Sequence, residues 1–229
     1  MSSEQITGVG AHAPTPASEQ ELMQRANCLA GRSLEQLAAA VGRETPSHQR
    51  RLKGWIGELM EQCLGATAGS RPVPDFPELG IELKTVPINA RGRPKESTYI
   101  CTVALSDTRA AWETSLVRRK LSRVLWVPVE AAPEIAFGLR RVGNPVLWSP
   151  EPAQERLIRT DWEELTEMIS LGHLERISSR HGRCLQIRPK AANGRALTAH
   201  FSATGEPALT LPRGFYLRAA FTQGILSGC

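Results

Sequence analysis

Pro74-Asp75, six spacer residues and then Glu82-Leu83-Lys84 stand close together in this chain. Two carboxylates and a lysine at this spacing suit a magnesium-dependent site that cleaves phosphodiesters. Carboxylate oxygens hold a hard cation. The cation polarises a phosphoryl oxygen and makes a bound water more acidic. A lysine can orient that water and offset the charge building on phosphorus. An Asp upstream of E-x-K also arises by chance, so the setting of these residues carries the argument.

That setting is a strand beside a break. Gly80 to Ile88 reads G-I-E-L-K-T-V-P-I, and its alternation predicts a β-strand. Ile81 and Leu83 then point one way, Glu82 and Lys84 the other. A strand with a merely solvated outer face has the same pattern. Asp75 lies just upstream, where Arg71-Pro72-Val73-Pro74 interrupts regular structure. A loop Asp next to a strand bearing Glu and Lys on one face can converge on one ion.

The helical elements come first in the chain. Ser18-Glu19-Gln20-Glu21 reads as a capping box opening a helix that stops at Gly31. Ser33-Leu34-Glu35-Gln36 opens a second, stopped by Gly42. Thr45-Pro46 is expected to open a third, running through Trp55 and Cys63 to Gly65. On this third helix Glu61 lies near the apolar side and Glu58 nearer the polar one. A carboxylate near a buried face needs a partner. A metal shared with Asp75 and Glu82 is one such partner; a surface ion pair with Arg50 or Arg51 is the other reading.

Further on, Thr98 to Leu105 and Arg123 to Val129 read as strands, with the basic cluster Arg118-Arg119-Lys120 between them. Arg91, Arg93 and Lys95 form another basic cluster. A long helix is expected from Glu151 to about Leu171, acidic at its start as the helix dipole favours. Ile177 to Ile187 reads as a hairpin turning at His181-Gly182. Arg188-Pro189-Lys190 and Leu209 to Leu217 place Arg or Lys beside Pro or Gly, with Phe215-Tyr216 in the second. Arg can chelate guanine in a major groove, and Tyr or Pro can press on a base edge. Taken singly, such residues are more often turn chemistry and core packing.

Composition bounds the rest. The 229 residues, 41% hydrophobic, suffice for one substantial core or two small lobes. No apolar run approaches a membrane span, and no secretory leader is read at the N-terminus. Residues 1–17 are expected to form a flexible tail. Five cysteines without a C-x-x-C fit a reducing cytoplasm. The five histidines show no zinc-ligand spacing. Net charge is +5, but it is unevenly spread. Residues 175–229 hold eight Lys/Arg and two acidic residues, whereas the other 174 residues hold 20 basic and 21 acidic. A basic segment on a neutral body suggests a polyanion-binding lobe or a solubilising surface.

Beyond these local readings, the chain resembles the MutH family of methyl-directed mismatch-repair endonucleases from about residue 20 to residue 226. The resemblance rests on Lys53-Gly54-Trp55-Ile56-Gly57, Gly65 to Ser70, Asp75-Phe76 and Gly80 to Thr85. It continues through Trp112 to Ser115, Arg141-Val142-Gly143, Leu147 to Pro150 and Asp161 to Leu165. It ends with Ile187 to Asn193 and Leu209 to Leu217. Arg119, Ser122 and Arg71 depart from the family pattern, none of them at a catalytic position.

The resemblance implies an α/β fold of the restriction-endonuclease type: a mixed sheet with flanking helices, in two lobes around a DNA-binding cleft. It implies a single endonuclease domain over 18–229, with a catalytic lobe at about 18–105 and a DNA-recognition lobe at about 106–229. It implies magnesium-dependent nicking, with manganese as a substitute, 5′ to the G of GATC in the unmethylated strand of hemimethylated DNA. Asp75 and Glu82 match the family's metal carboxylates, Lys84 its catalytic lysine, and Glu61, in preference to Glu58, its additional acidic residue. Lys53 and Lys120 match DNA-contacting or active-site-facing lysines. Arg188, Pro189 and Lys190 match the segment entering the major groove, and Tyr216 the tyrosine set against the methylatable adenine. The expected partners are double-stranded DNA, the ATP-dependent activator MutL and, through it, MutS, for a monomer. A stand-alone restriction enzyme cutting both strands and a non-catalytic DNA-binding protein are the competing classes.

Overall fold

Side-chain caps open the first helices where the sequence marks them. The structure, a computed structural model, describes residues 13–46, 54–69, 71–105, 111–190, 197–202 and 204–228. Helix α1 (Glu19–Leu29) starts at Ser18, whose hydroxyl accepts the Glu21 N–H at 3.2 Å. The Glu21 carboxylate takes the Ala17 N–H at 2.7 Å, one residue before the cap, so the reciprocal half of the expected box is displaced. Helix α2 (Leu34–Ala40) has the full box, with Ser33 and Gln36 exchanging bonds of 2.9 and 3.3 Å.

Helix α3 (Trp55–Leu64) is shorter than expected. Its cap is Gly54 at φ +84°, a left-handed conformation that a continuing helix does not allow. Thr45-Pro46 lies in irregular chain, and 47–53 fall outside the described residues. Of the tail expected over 1–17, residues 1–12 lie outside the described residues, and 13–17 are held by hydrogen bonds. Ala13 donates its N–H to the Gln62 carbonyl at 3.1 Å, and Arg25 holds the Pro14 carbonyl.

The chain forms two compact units, each drawn from two stretches. The first comprises residues up to Lys95 together with Arg123–Trp148; the second comprises Glu96–Ser122 together with residues from Ser149 onward. The sequence reading drew one division near residue 105; the units interleave.

In the first unit β1 (Glu82–Ile88) pairs in parallel with β3 (Val124–Glu130), and β3 pairs antiparallel with β4 (Val146–Trp148). Strand β3 is buried at every position but its last, as a central strand covered on both faces must be. Leu83, Leu125 and Val127 join a core with Leu22, Leu37, Leu59 and Leu64 from the three helices.

The second unit holds an antiparallel sheet in the order β2 (Thr98–Thr102), β8 (Arg213–Leu217), β5 (Leu185–Pro189). Helices α4 (Leu116–Leu121) and α5 (Pro152–Ser170) pack on it through Val117, Trp162 and Leu165. The Trp112 and Trp162 rings stack obliquely at 5.7 Å. A ribbon of β6 (Thr198–Phe201) and β7 (Pro207–Thr210) and the final helix α6 (Ala219–Ser227) complete it.

Two sequence expectations give way here. Ile177 to Ile187 is not a hairpin: only β5 is a strand, and its partner is the distant β8. The strand at 98–105 ends at Thr102. The mixed α/β architecture, with its parallel β1–β3 pair and antiparallel β3–β4 pair, is that expected of the restriction-endonuclease-like class.

Candidate active site and DNA-reading surface

Strand alternation and one tight loop assemble the acidic cluster of the first unit. Phe76 and Ile81 bridge across the turn Pro77–Gly80, which brings Asp75 back to the start of β1. Asp75 Oδ2 accepts the Leu83 N–H at 2.8 Å. Its carbonyl accepts the Thr67 and Ala68 N–H groups at 3.0 and 3.3 Å, so the loop after α3 is tied to the same point. Glu82 is 2% exposed, and its Oε1 accepts a charge-assisted bond from Lys84 Nζ at 2.6 Å. Glu and Lys two residues apart on one face of a strand meet in this way by geometry alone.

Glu61 lies near the end of α3. Burial raises its pKa first; the Asp75, Glu58 and Glu82 charges add to the effect, and Lys84 opposes it. Glu61 thus feels the charges of Asp75 and Glu82 without being gathered with them into one tight group. Glu58 pairs with Arg43, whose guanidinium also lies 5.2 Å over the Trp55 ring. Arg50 and Arg51, the ion-pair partners weighed for this helix, lie outside the described residues.

Among the described residues, no group of three or more His, Cys, Asp or Glu side chains is gathered tightly enough to hold a metal. In the present arrangement Lys84 and the Leu83 N–H hold carboxylate oxygens of Glu82 and Asp75. The donor chemistry fits a divalent cation all the same. The donors are hard oxygens, and burial, together with the neighbouring carboxylate charges, raises the Glu61 pKa in a way that a bound cation would oppose.

The second unit presents a different surface. Tyr99 on β2 faces Tyr216 on β8, with ring centroids 5.4 Å apart and edge to face. Gly214 makes this possible, since a Cβ there would lie 2.9 Å from the Tyr99 ring and 3.0 Å from that of Tyr216. From β5, the Arg188 guanidinium lies 5.9 Å over Tyr216. Lys190 lies 4.1 Å over Tyr99, donates to its hydroxyl and reaches Thr102 Oγ1 at 3.2 Å. Such cation–ring contacts are worth about 0.5–1 kcal/mol each where exposed. Pro189 sits opposite Arg213 in the ladder. An open groove of about 570 Å³ runs beside β5, lined by Ser97, Gln186, Arg188, Pro189, Arg213 and Arg218. Burial, foremost, and the neighbouring Tyr99 raise the Tyr216 pKa, so its hydroxyl stays protonated.

Of the remaining residues singled out by sequence, Lys120 stands half-buried in the last turn of α4, in the second unit. Lys53 lies outside the described residues. Sequence reasoning missed Tyr99 and Asp161. Tyr99 sat in a strand already assigned to structure. Asp161 sat among helix residues beside Trp162, and a polar residue within an apolar stripe was the available signal.

The fold is of the restriction-endonuclease-like class, with two carboxylates and a lysine at the start of β1, which pairs with the central strand β3. The family model described as DNA mismatch repair enzyme MutH matches residues 64–161. That match spans Asp75, Glu82 and Lys84; Arg188 and Tyr216 lie beyond it. The DNA mismatch repair protein MutH of Vibrio parahaemolyticus is 54% identical over 214 residues, covering 93% of this chain and 95% of the relative. That of Serratia proteamaculans is 53% identical over 215 residues, covering 93% and 94%. That of Salmonella paratyphi B is 55% identical over 213 residues, covering 93% and 92%. The chain belongs to the MutH family of DNA mismatch repair enzymes.

Proposed function

We propose that this chain is a DNA endonuclease that nicks the unmethylated strand of hemimethylated GATC, 5′ to the G. The observation that carries the reading is the cluster of Glu61, Asp75 and Glu82 beside Lys84. Asp75, Glu82 and Glu61 would hold magnesium, or manganese in its place. Bound there, the ion supplies a Lewis acid at the phosphoryl oxygen and a more acidic water.

The chain's own groups do the rest. Lys84 Nζ orients the attacking water and offsets charge on the phosphoryl oxygens. The water oxygen bonds to phosphorus, the P–O3′ bond breaks, and the 3′ oxygen takes up a proton. The product is a nick with a 5′ phosphate. Glu82, held in place by Lys84, keeps that ammonium at the strand surface until DNA arrives.

Arg188, Pro189, Lys190 and Tyr216 read the site. An N6-methyl group on adenine projects into the major groove. Tyr216 is wedged between Tyr99 and the Arg188 guanidinium, so its ring has little freedom to give way. A close-packed ring there leaves no room for a second methyl. The protein acts on chromosomal DNA in the cytoplasm as a monomer, one site per chain making one nick. MutL with ATP, recruited through MutS at a mismatch, raises its low intrinsic activity.

The test is nicking of a hemimethylated GATC plasmid in magnesium, with and without MutL and ATP. A nick confined to the unmethylated strand and stimulated by MutL is expected. Double-strand cutting indifferent to MutL would assign a stand-alone restriction activity, and no cutting would overturn the catalytic reading.

A further inference from the structure

Asp161 is the feature of the second unit that the site described above does not use. It lies in the middle of α5, is 2% exposed, and is an indifferent helix former. Burying an ionised carboxylate is costly unless hydrogen bonds replace its water. Asp161 finds them outside its own helix. Oδ1 and Oδ2 each accept the Arg183 N–H at 2.9 Å, and Oδ2 also accepts the Cys184 and Leu185 N–H groups at 2.6 and 2.8 Å. Three successive backbone donors on one carboxylate fix the path of the chain at its entry into β5.

The same turn is held from its other side. Arg218, directly after β8, donates through Nη2 to the Ser179 and His181 carbonyls at 2.7 and 3.0 Å. Its backbone N–H donates to the Cys184 carbonyl at 2.8 Å. Gly182 lies between these grips at φ +70°. A Cβ there would fall 1.9 Å from the Leu185 carbonyl oxygen and 3.5 Å from Asp161 Cγ. Nothing larger than glycine fits without moving the backbone.

The clamped residues lead straight into the reading strand. Leu185 pairs with Leu217, Gln186 with Tyr216, Arg188 with Gly214. The backbone between the clamp and Arg188 is therefore short, straight and in ladder register with the strand that carries Tyr216. Reading a base edge requires side chains held to about 0.5 Å by supporting hydrogen bonds.

We infer that Asp161, with Arg218 as its counter-clamp, is a positioning residue that sets Arg188 against Tyr216 and so governs how sharply the protein distinguishes its DNA site. The inference rests on the reading of Arg188 and Tyr216 as base-contacting residues. Burial first, and then the hydrogen-bonded Asp161 carboxylate, push the Cys184 thiol well above its ordinary pKa.

The experiment compares wild type, Asp161→Asn, Gly182→Ala and Arg218→Gln. Each is assayed for nicking of GATC and of sites differing by one base pair, with thermal unfolding as a control. The discrimination ratio is the informative quantity, because any loss of folded protein cancels in it. A displaced base contact is expected to lower the ratio about tenfold in Asp161→Asn and Gly182→Ala. The rate on single-mismatch sites should change much less than the rate on GATC. If the variants lose stability or total activity but keep the wild-type ratio, the clamp is only a structural support and the inference fails. Gly182→Ala leaves the Asp161 side chain unaltered, so agreement between the two variants excludes a direct DNA contact by Asp161 as the cause. A wild-type protein without preference for GATC would overturn the proposed function itself, an outcome distinct from unchanged variant ratios.

Discussion

In the first unit, Glu61, Asp75 and Glu82 bring like charges near one lysine; burial first, and then these neighbouring carboxylates, raise the pKa of Glu61. In the second unit, Arg188 and Lys190 lie over the rings of Tyr216 and Tyr99, and Lys190 also has hydroxyl acceptors. Both regions carry charge, yet one is electrostatically incomplete and the other is already satisfied. The contrast follows from the task of each. A site that must bind a cation and a phosphodiester brings carboxylates near one another, held here by Lys84 and the Leu83 N–H, and the folded state tolerates the repulsion. A surface that reads shape needs side chains fixed before DNA arrives, so each cation has its own partner within the protein.

The largest expected effect tests the incomplete region. Asp75→Ala or Glu82→Ala should lower nicking by about a thousandfold, the several kcal/mol that metal-assisted charge stabilisation supplies. DNA binding, measured by gel shift in calcium, should stay within a few-fold. Equal losses in both would erase the division of labour between the units. Lys84→Ala comes next, at about a hundredfold in kcat with little change in KM. A rise in KM alone would move Lys84 from the chemistry to ground-state binding.

Tyr216→Ala tests the satisfied region. It should cut the ratio of unmethylated to fully methylated cleavage by about tenfold, the worth of one discriminating contact. A ratio equal to that of wild type would remove Tyr216 from the methyl-reading role. In this variant Arg188 loses its ring partner as well, so some GATC affinity should go too.

The smallest effect concerns pH. Glu61 binds its proton more tightly in the folded chain than in the unfolded one. Stability therefore falls as pH rises from the ordinary carboxylate pKa through the raised value of Glu61. Glu61→Gln should remove this slope, so the Tm difference between variant and wild type should grow from about pH 4 to about pH 7. Parallel curves would mean that Glu61 feels no net repulsion. Magnesium should raise the wild-type Tm at the upper end of that range, and should do so far less in Asp75→Ala. This readout reports metal binding without relying on catalysis.

Much of the first unit was legible along the chain. The alternation of Ile81, Glu82, Leu83 and Lys84 gave strand β1, and the Pro-rich break put Asp75 next to it. These are local effects of backbone periodicity and of proline, which a linear reading captures. The third helix was drawn too long because Pro46 is a good opening residue, and Gly54, at φ +84°, supplies the actual start. The expected hairpin at 177–187 failed for a tertiary reason. His181-Gly182 does make a turn, but the N–H groups of Arg183, Cys184 and Leu185 bond to Asp161 of α5.

By itself the sequence determined the candidate metal carboxylates, the lysine beside them and the basic character of the last quarter of the chain. All three depend on residue type and short spacing. Only the tertiary structure decided that Glu58 pairs with Arg43, that Tyr99 backs Tyr216, and that Asp161 binds the turn leading into the strand that carries Arg188. Those relations join segments far apart in the chain. Burial and strand register bring them together, and no periodicity within any one segment encodes them.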